Sequence, residues 1–121
     1  MILLDTHIWV WWANSTADLR PNHLASINDH LATGLFVSVI SVWEVAKLME
    51  KGRLKLDRPV DEWIEAAILL PGVVLQPLTP TIAVAACQLP PPFHADPADQ
   101  ILVATARELN VPILAVMPSL A

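Results

Sequence analysis

Short apolar runs alternate along the chain with longer segments in which apolar residues recur near a helical period. The apolar runs predict four strands, at residues 2–4, 35–39, 73–78 and 111–116. The periodic segments predict six helices, at residues 6–13, 21–33, 41–51, 59–70, 80–88 and 96–110. Strands that alternate with helices across short connections are typical of a mainly parallel sheet with helices on both faces. The pattern therefore predicts the α/β class.

Acidic residues stand where the predicted strands give way to helices. They are Asp5, Glu44, Asp96 and Asp99. In a parallel sheet the strand-to-helix junctions lie along one edge, so carboxylates that are distant in sequence can meet in space. The placement predicts that these four side chains share one site.

Helix capping offers a competing explanation for each acid. Asp5 precedes one predicted helix and Asp96 opens another, and both would accept backbone N–H bonds as N-caps. The segment from Ser41 to Glu44 matches the capping-box pattern, with Ser at the N-cap and Glu three residues on. Capping explains each residue about as well as a site does when the residue is taken alone. The joint placement of all four at one edge favours the site.

Clustered carboxylates without matching bases favour a divalent cation. Neighbouring carboxylates raise one another's pKa unless a cation lies between them. Hard oxygen ligands suit Mg²⁺, or Mn²⁺ as a substitute. Such an ion lowers the pKa of a water ligand and neutralises charge on a phosphodiester. The predicted chemistry is therefore metal-dependent phosphodiester hydrolysis, with Asp5, Glu44, Asp96 and Asp99 as metal ligands.

Composition narrows the class further. The 121 residues suffice for one domain, spanning 1–121, and 55% of them are hydrophobic while 16% are charged. The excess of apolar residues favours a partner surface, such as a homodimer interface. No apolar stretch approaches the roughly 18 residues of a membrane span, and the N-terminus lacks the basic start of a signal peptide. The single cysteine, Cys87, suits a reducing compartment, so a cytoplasmic protein is expected.

Charge limits the ways in which the chain can bind nucleic acid. A net charge of −5 argues against binding by electrostatics alone, but not against a nuclease whose metal ion carries positive charge. Five of the seven basic residues fall within 47–58, where a solvated helix end and loop are favoured over phosphate contact. The five tryptophans are interpreted mainly as packing residues, with stacking on bases as the alternative.

Three ordered motifs resemble the PIN domain family, and in particular the VapC-type toxins of type II toxin–antitoxin pairs. They are Ile2-Leu3-Leu4-Asp5-Thr6-His7, Ser41-Val42-Trp43-Glu44-Val45-Ala46 with the following Lys51-Gly52-Arg53-Leu54, and His94-Ala95-Asp96-Pro97-Ala98-Asp99. The resemblance implies a three-layer α/β/α sandwich and a Mg²⁺- or Mn²⁺-dependent endoribonuclease that a cognate antitoxin silences. It assigns the family acids to Asp5, Glu44 and Asp99, with Asp96 beside them. It also implies that Thr6 orients the first acid or a water on the metal.

The chain departs from the family pattern near its end. Gln100 stands where Arg is frequent, and Ala115 and Met117 stand where the family usually has Thr and Asp. The missing acid predicts one firmly held cation and reduced activity. A catalytically degenerate PIN module, which binds an antitoxin or RNA without cleaving it, is therefore the main alternative. An aspartyl-phosphate enzyme is disfavoured, because it needs a late lysine and no lysine follows Lys55.

Overall fold

The computed structural model describes residues 1–90 and 96–116, and its centre is a four-stranded sheet. The strands are β1 (Ile2–Leu4), β2 (Leu35–Ser38), β3 (Val73–Gln76) and β4 (Ile113–Leu114). They lie in the order β3-β2-β1-β4, and every neighbouring pair is parallel. The parallel sheet predicted from the sequence is confirmed. β2, β3 and β4 are each shorter than the apolar runs that predicted them.

Six helices occupy the described part of the chain. They are α1 (Thr6–Asn14), α2 (Pro21–His30), α3 (Val39–Glu50), α4 (Val60–Ile68), α5 (Pro80–Cys87) and α6 (Pro97–Leu109). Each corresponds to a predicted helix, with ends that differ by a few residues. No helix within residues 1–90 and 96–116 is both long enough and apolar enough to cross a membrane.

The start of α3 corrects the prediction. Ser38, rather than Ser41, is the N-cap, and its hydroxyl accepts the backbone N–H of Ile40 at 3.1 Å. β2 therefore runs directly into α3, and the β-branched pair Val39 and Ile40 forms the first helical turn. The capping box predicted at Ser41 and Glu44 is wrong, because both residues lie inside the helix.

The apolar core is divided by the sheet into two parts. On one face Ile2 and Leu4 of β1 join a cluster that includes Trp9 of α1 and Trp63 of α4. On the other face Leu3 packs against Leu102 and Ala106 of α6. Successive strand residues point to opposite faces, so this alternation places helices on both sides. The three-layer α/β/α arrangement expected from the resemblance is confirmed.

The winding of the sheet creates a crevice at its carboxyl edge. β2 lies on one side of β1 and β4 on the other, and ligand sites of open α/β sheets lie at such a reversal. The Asp5 backbone N–H donates to the Leu114 carbonyl at 3.0 Å, which joins the carboxyl ends of β1 and β4. α1 and α3 follow β1 and β2 directly, so their N-termini lie along this edge.

Candidate active site

Asp5 lies at the carboxyl end of β1 and is almost fully buried, at 7% exposure. It is the N-cap of α1, where its Oδ1 accepts the Thr6 backbone N–H at 2.7 Å. Burial raises the pKa of Asp5 above its ordinary value, and the negative charge of Asp96 raises it further. Hydrogen bonds from the Thr6 and Val116 backbone and the charge of His7 oppose that rise. The capping prediction for Asp5 is correct, yet capping leaves a costly buried carboxylate.

Glu44 is joined to Asp5 through Thr6. Thr6 Oγ1 lies 2.5 Å from Glu44 Oε1 and 2.8 Å from Ser41 Oγ. Burial is the main cause that raises the pKa of Glu44, and the charges of Asp96, Asp99 and Asp5 add to it. The hydrogen bond from Thr6 has the opposite effect. Because Glu44 lies within α3, its carboxylate is free of the capping role that the sequence offered for it.

The first turn of α6 supplies the remaining two acids. Asp96 is the N-cap, exposed to solvent, and its Oδ1 accepts the Asp99 backbone N–H at 2.9 Å. Asp99 is half-buried. Burial raises the pKa of Asp99, and the charges of Asp96 and Asp5 raise it further, whereas the charge of His7 lowers it. Part of the Asp96 carboxylate is thus engaged in capping, while Asp99 has no such role.

The structure places the predicted acids near enough to one another, at one edge of the sheet, for their charges to interact. Asp5, Glu44 and Asp99 each have a pKa raised by burial and by the charges of the others or of Asp96. Within residues 1–90 and 96–116 the two ion pairs are Lys47–Glu50 and Arg58–Asp57, and neither includes one of these acids. The site therefore concentrates negative charge that no basic side chain of the described chain pairs with.

The carboxylates fit one kind of metal site better than another. In the described part of the chain, no three His, Cys, Asp or Glu side chains lie close enough together to ligate one ion directly. A closed zinc site needs such a group, whereas Mg²⁺ binds through one or two carboxylates and retains several waters. The charge that accumulates at Asp5, Glu44 and Asp99 suits a hydrated hard cation of this second kind.

A large cavity lies beside the acids rather than among them. It has a volume of about 1170 Å³, and it lies between Trp11, the loop and helix start around Arg20, Arg107 of α6, and β4. None of the four acids lines it. Ala115 and Val116 do line it, and they directly follow β4 at the edge where Asp5 lies. The cavity therefore adjoins the carboxylate site without being part of it.

Sequence reasoning missed two residues of the site. Ser41, assigned to a cap, is fully buried and contacts Thr6. His7, noted in the sequence only as part of the first motif, lowers the pKa of both Asp5 and Asp99 through its charge. The three-residue spacing of Ser41 and Glu44 was the available signal, because it puts both side chains on one face of a helix. Met117 and His94 lie outside the described residues.

These features define an α/β domain with a carboxylate cluster at the switch point of a parallel sheet. The family model for the PIN domain matches residues 2–116, and the chain belongs to that family. The resemblance to VapC-type proteins is also confirmed. The chain is 38% identical over 107 residues to Ribonuclease VapC22 of Mycobacterium tuberculosis, across 88% of this chain and 79% of that protein.

Solved structures share the fold at low sequence identity. VapBC2 from Rickettsia felis, crystallised with a DNA fragment from their promoter, matches with a TM-score of 0.68 at 15% identity, over 98% of this chain and 90% of its own. VapC20 of Mycobacterium tuberculosis, a toxin that cleaves the sarcin-ricin loop, gives a TM-score of 0.67 at 14% identity, over 99% and 92%. FitAcB from Neisseria gonorrhoeae gives 0.68 at 18% identity, over 99% and 90%. At these identities the likeness concerns the fold alone.

Proposed function

We propose that this protein is a metal-dependent endoribonuclease and the toxin of a toxin–antitoxin pair. The observation that carries the proposal is the convergence of Asp5, Glu44 and Asp99, whose carboxylates share one negative field without a basic partner among the described residues. The similarity to a ribonuclease, VapC22, over most of both chains supports the choice of RNA as substrate. The proposed compartment is the cytoplasm.

Asp5, Glu44 and Asp99 are proposed to hold a hydrated Mg²⁺ or Mn²⁺ ion, one or two of them directly and the rest through water ligands of the ion, with Asp96 at the rim. When bound, such an ion supplies an activated water and neutralises charge on the scissile phosphate. The protein's part is to hold the acids in place before the ion arrives. Asp5 is fixed by the Thr6 backbone and Glu44 by the Thr6 hydroxyl, so Thr6 orients two ligands at once.

The proposed protein partner is a cognate antitoxin, and a homodimer is the proposed assembly. VapBC2 and FitAB, which share the fold, are crystallised as named toxin–antitoxin pairs on DNA, and this supports the same pairing here. Exposed apolar side chains that include Trp43, Leu69 and Val84 support the presence of partner surfaces.

Cleavage of RNA by the purified protein tests the enzyme proposal. We expect total bacterial RNA to be cut in the presence of Mg²⁺ or Mn²⁺ and to stay intact in EDTA. Asp5→Asn keeps an oxygen that can cap α1 but lacks the charge, so it should fold and should not cleave. Asp29→Asn, an exposed acid of α2, is the matched control and should cleave normally. Equal cleavage by the unsubstituted protein and Asp5→Asn would overturn the proposal.

A degenerate module that binds without cleaving is the second candidate. It is favoured by Ala115, which follows β4 at the carboxylate edge and brings no side-chain oxygen there. If this candidate holds, neither the unsubstituted protein nor Asp5→Asn cleaves RNA with any divalent cation. The protein would still bind an antitoxin co-expressed from a neighbouring reading frame.

A further inference from the structure

A buried hydroxyl of α3 has no place in the roles described so far. Ser41 is 0% exposed, and its Oγ lies 2.8 Å from Thr6 Oγ1. It does not cap α3, since Ser38 does. Because Ser41 is fully buried, its side chain cannot contact RNA or a cation at the surface of the crevice. Its described polar contact is with Thr6, the residue that holds Glu44.

Counting protons fixes the direction of these hydrogen bonds. Thr6 Oγ1 contacts both Ser41 Oγ and Glu44 Oε1, but it carries a single proton. An ionised Glu44, the form that binds a cation, can only accept, so the Thr6 proton goes to Glu44. The proton between Thr6 and Ser41 must then come from Ser41. The chain therefore runs from the Ser41 hydroxyl to the Thr6 hydroxyl to the Glu44 carboxylate.

We infer that Ser41 is a positioning residue for the metal-binding acids, an inference that rests on the proposed function. By donating to Thr6 Oγ1, Ser41 fixes the rotamer in which the Thr6 proton points at Glu44. Glu44 Oε1 is thereby occupied, and Oε2 is left for the cation. Ser41 thus organises the metal site through Thr6, without contact with substrate or metal.

The test measures Mn²⁺ affinity by electron paramagnetic resonance, beside kcat and KM for cleavage of one synthetic RNA. Ser41→Ala removes the hydroxyl with little change of shape. We expect Mn²⁺ to bind about tenfold more weakly and kcat to fall by a similar factor, as is usual for residues that orient metal ligands. KM for RNA should be unchanged, because Ser41 is sealed from the surface.

Matched variants separate positioning from packing. Ser41→Thr and Ser41→Val have nearly the same shape, and both add a methyl group to a filled site, but only the threonine keeps a hydroxyl. We expect Ser41→Thr to bind Mn²⁺ more tightly than Ser41→Val, even where both melt at lower temperature than the unsubstituted protein. Ser38→Ala removes a buried serine hydroxyl from the same helix start without touching Thr6. It should lower stability while Mn²⁺ affinity stays normal.

The outcomes distinguish this inference from the proposed function. If the unsubstituted protein binds Mn²⁺ and cleaves RNA, and Ser41→Ala and Ser41→Val match it in Mn²⁺ affinity and kcat, the positioning role is overturned while the nuclease stands. If the unsubstituted protein binds no Mn²⁺, the proposed function is overturned and the role of Ser41 falls with it. The inference is supported if Ser41→Ala and Ser41→Val both bind Mn²⁺ more weakly than the unsubstituted protein, while Ser41→Thr binds it more tightly than they do.

Discussion

Asp99 presents the conflict between stability and function at the scale of one residue. Its carboxylate is half-buried, and burial together with the charges of Asp96 and Asp5 raises its pKa. A group whose pKa is higher in the folded than in the unfolded state destabilises the fold once it ionises. Residues that cost stability while they serve a site are common in enzymes. Asp99 is expected to behave as one of them.

We predict that Asp99→Asn raises stability and abolishes activity. In EDTA at pH 7.5 the neutral side chain removes the repulsion, so the thermal midpoint should equal or exceed that of the unsubstituted protein. Cleavage should fall by about a hundredfold or more, since loss of an acid proposed to hold the ion should cost at least as much as loss of a residue that orients such an acid. Melting curves and RNA cleavage rates check both parts. A variant that melts lower and still cleaves would mean that Asp99 is a structural acid.

At the scale of elements, α1 and α4 are joined through two tryptophans. The ring centroids of Trp9 and Trp63 lie 5.1 Å apart, and the rings pack edge to face. The indole N–H of Trp9 donates to the Ala67 carbonyl at 3.3 Å, and that of Trp63 donates to Asn14 Oδ1 at 2.8 Å. Trp9 therefore fills the core on the same helix that begins with Asp5 and Thr6. The position of the site depends on this packing.

We predict very different losses of stability for two Trp-to-Ala substitutions. Trp9→Ala, at a site that is 0% exposed, should lower the free energy of unfolding by about 3–5 kcal/mol. Trp43→Ala, at a site that is 53% exposed, should change it by only about 0.5 kcal/mol. Urea denaturation of both variants measures the difference. A loss of several kcal/mol in Trp43→Ala would show that this exposed ring packs against a second copy of the chain.

The interpretation of the tryptophans as mainly packing residues does not extend to Trp43. Trp9 and Trp63 are packing residues, as expected. Trp43 is largely exposed, with the Lys47 ammonium 5.9 Å from its ring, and it precedes Glu44 in α3. The alternative that it stacks on a base therefore stays open for this residue.

The whole molecule is expected to respond to pH and to divalent cations together. The pKa values of Asp5, Glu44 and Asp99 are raised from ordinary values of 3.8, 4.5 and 3.8. Between those values and the raised ones, the folded protein binds more protons than the unfolded chain. The contribution of the three groups to stability is therefore complete below the ordinary values and is lost as pH rises through the raised ones.

We predict that Mg²⁺ restores the stability that the protein loses as pH rises. In EDTA, the thermal midpoint of the unsubstituted protein should fall, relative to that of the triple variant Asp5→Asn, Glu44→Gln, Asp99→Asn, as pH rises from the ordinary value of 3.8 towards pH 8. At pH 8, Mg²⁺ at ten times its Kd should stabilise the unsubstituted protein by about 1.4 kcal/mol and leave the triple variant unchanged. Melting curves over pH with and without Mg²⁺ measure both effects. The same pH dependence in both proteins would contradict the claim that ionisation of these three carboxylates lowers stability.

The sequence alone was enough to predict the architecture, and it singled out acids whose charges interact in the folded protein. Alternating apolar runs and helical periods predicted the parallel sheet, because burial on both faces leaves an unmistakable apolar pattern in the strands. Strand-to-helix junctions share one edge, so Asp5, Glu44, Asp96 and Asp99 were recognisable as neighbours. Strand lengths and the first residue of α3 were less predictable. β-branched Val39 and Ile40 favour a strand by local preference, and packing overrides that preference.

How Glu44 is held, and how far the acids are desolvated, follows only from the folded molecule. Ser41 and Thr6 lie 35 residues apart, and their hydroxyls meet because α1 and α3 begin at adjacent strands. The buried state of Asp5 and the effect of the His7 charge on Asp99 also depend on contacts between distant segments. A sequence pattern records local periodicity, whereas hydrogen-bond partners and desolvation arise from three-dimensional packing.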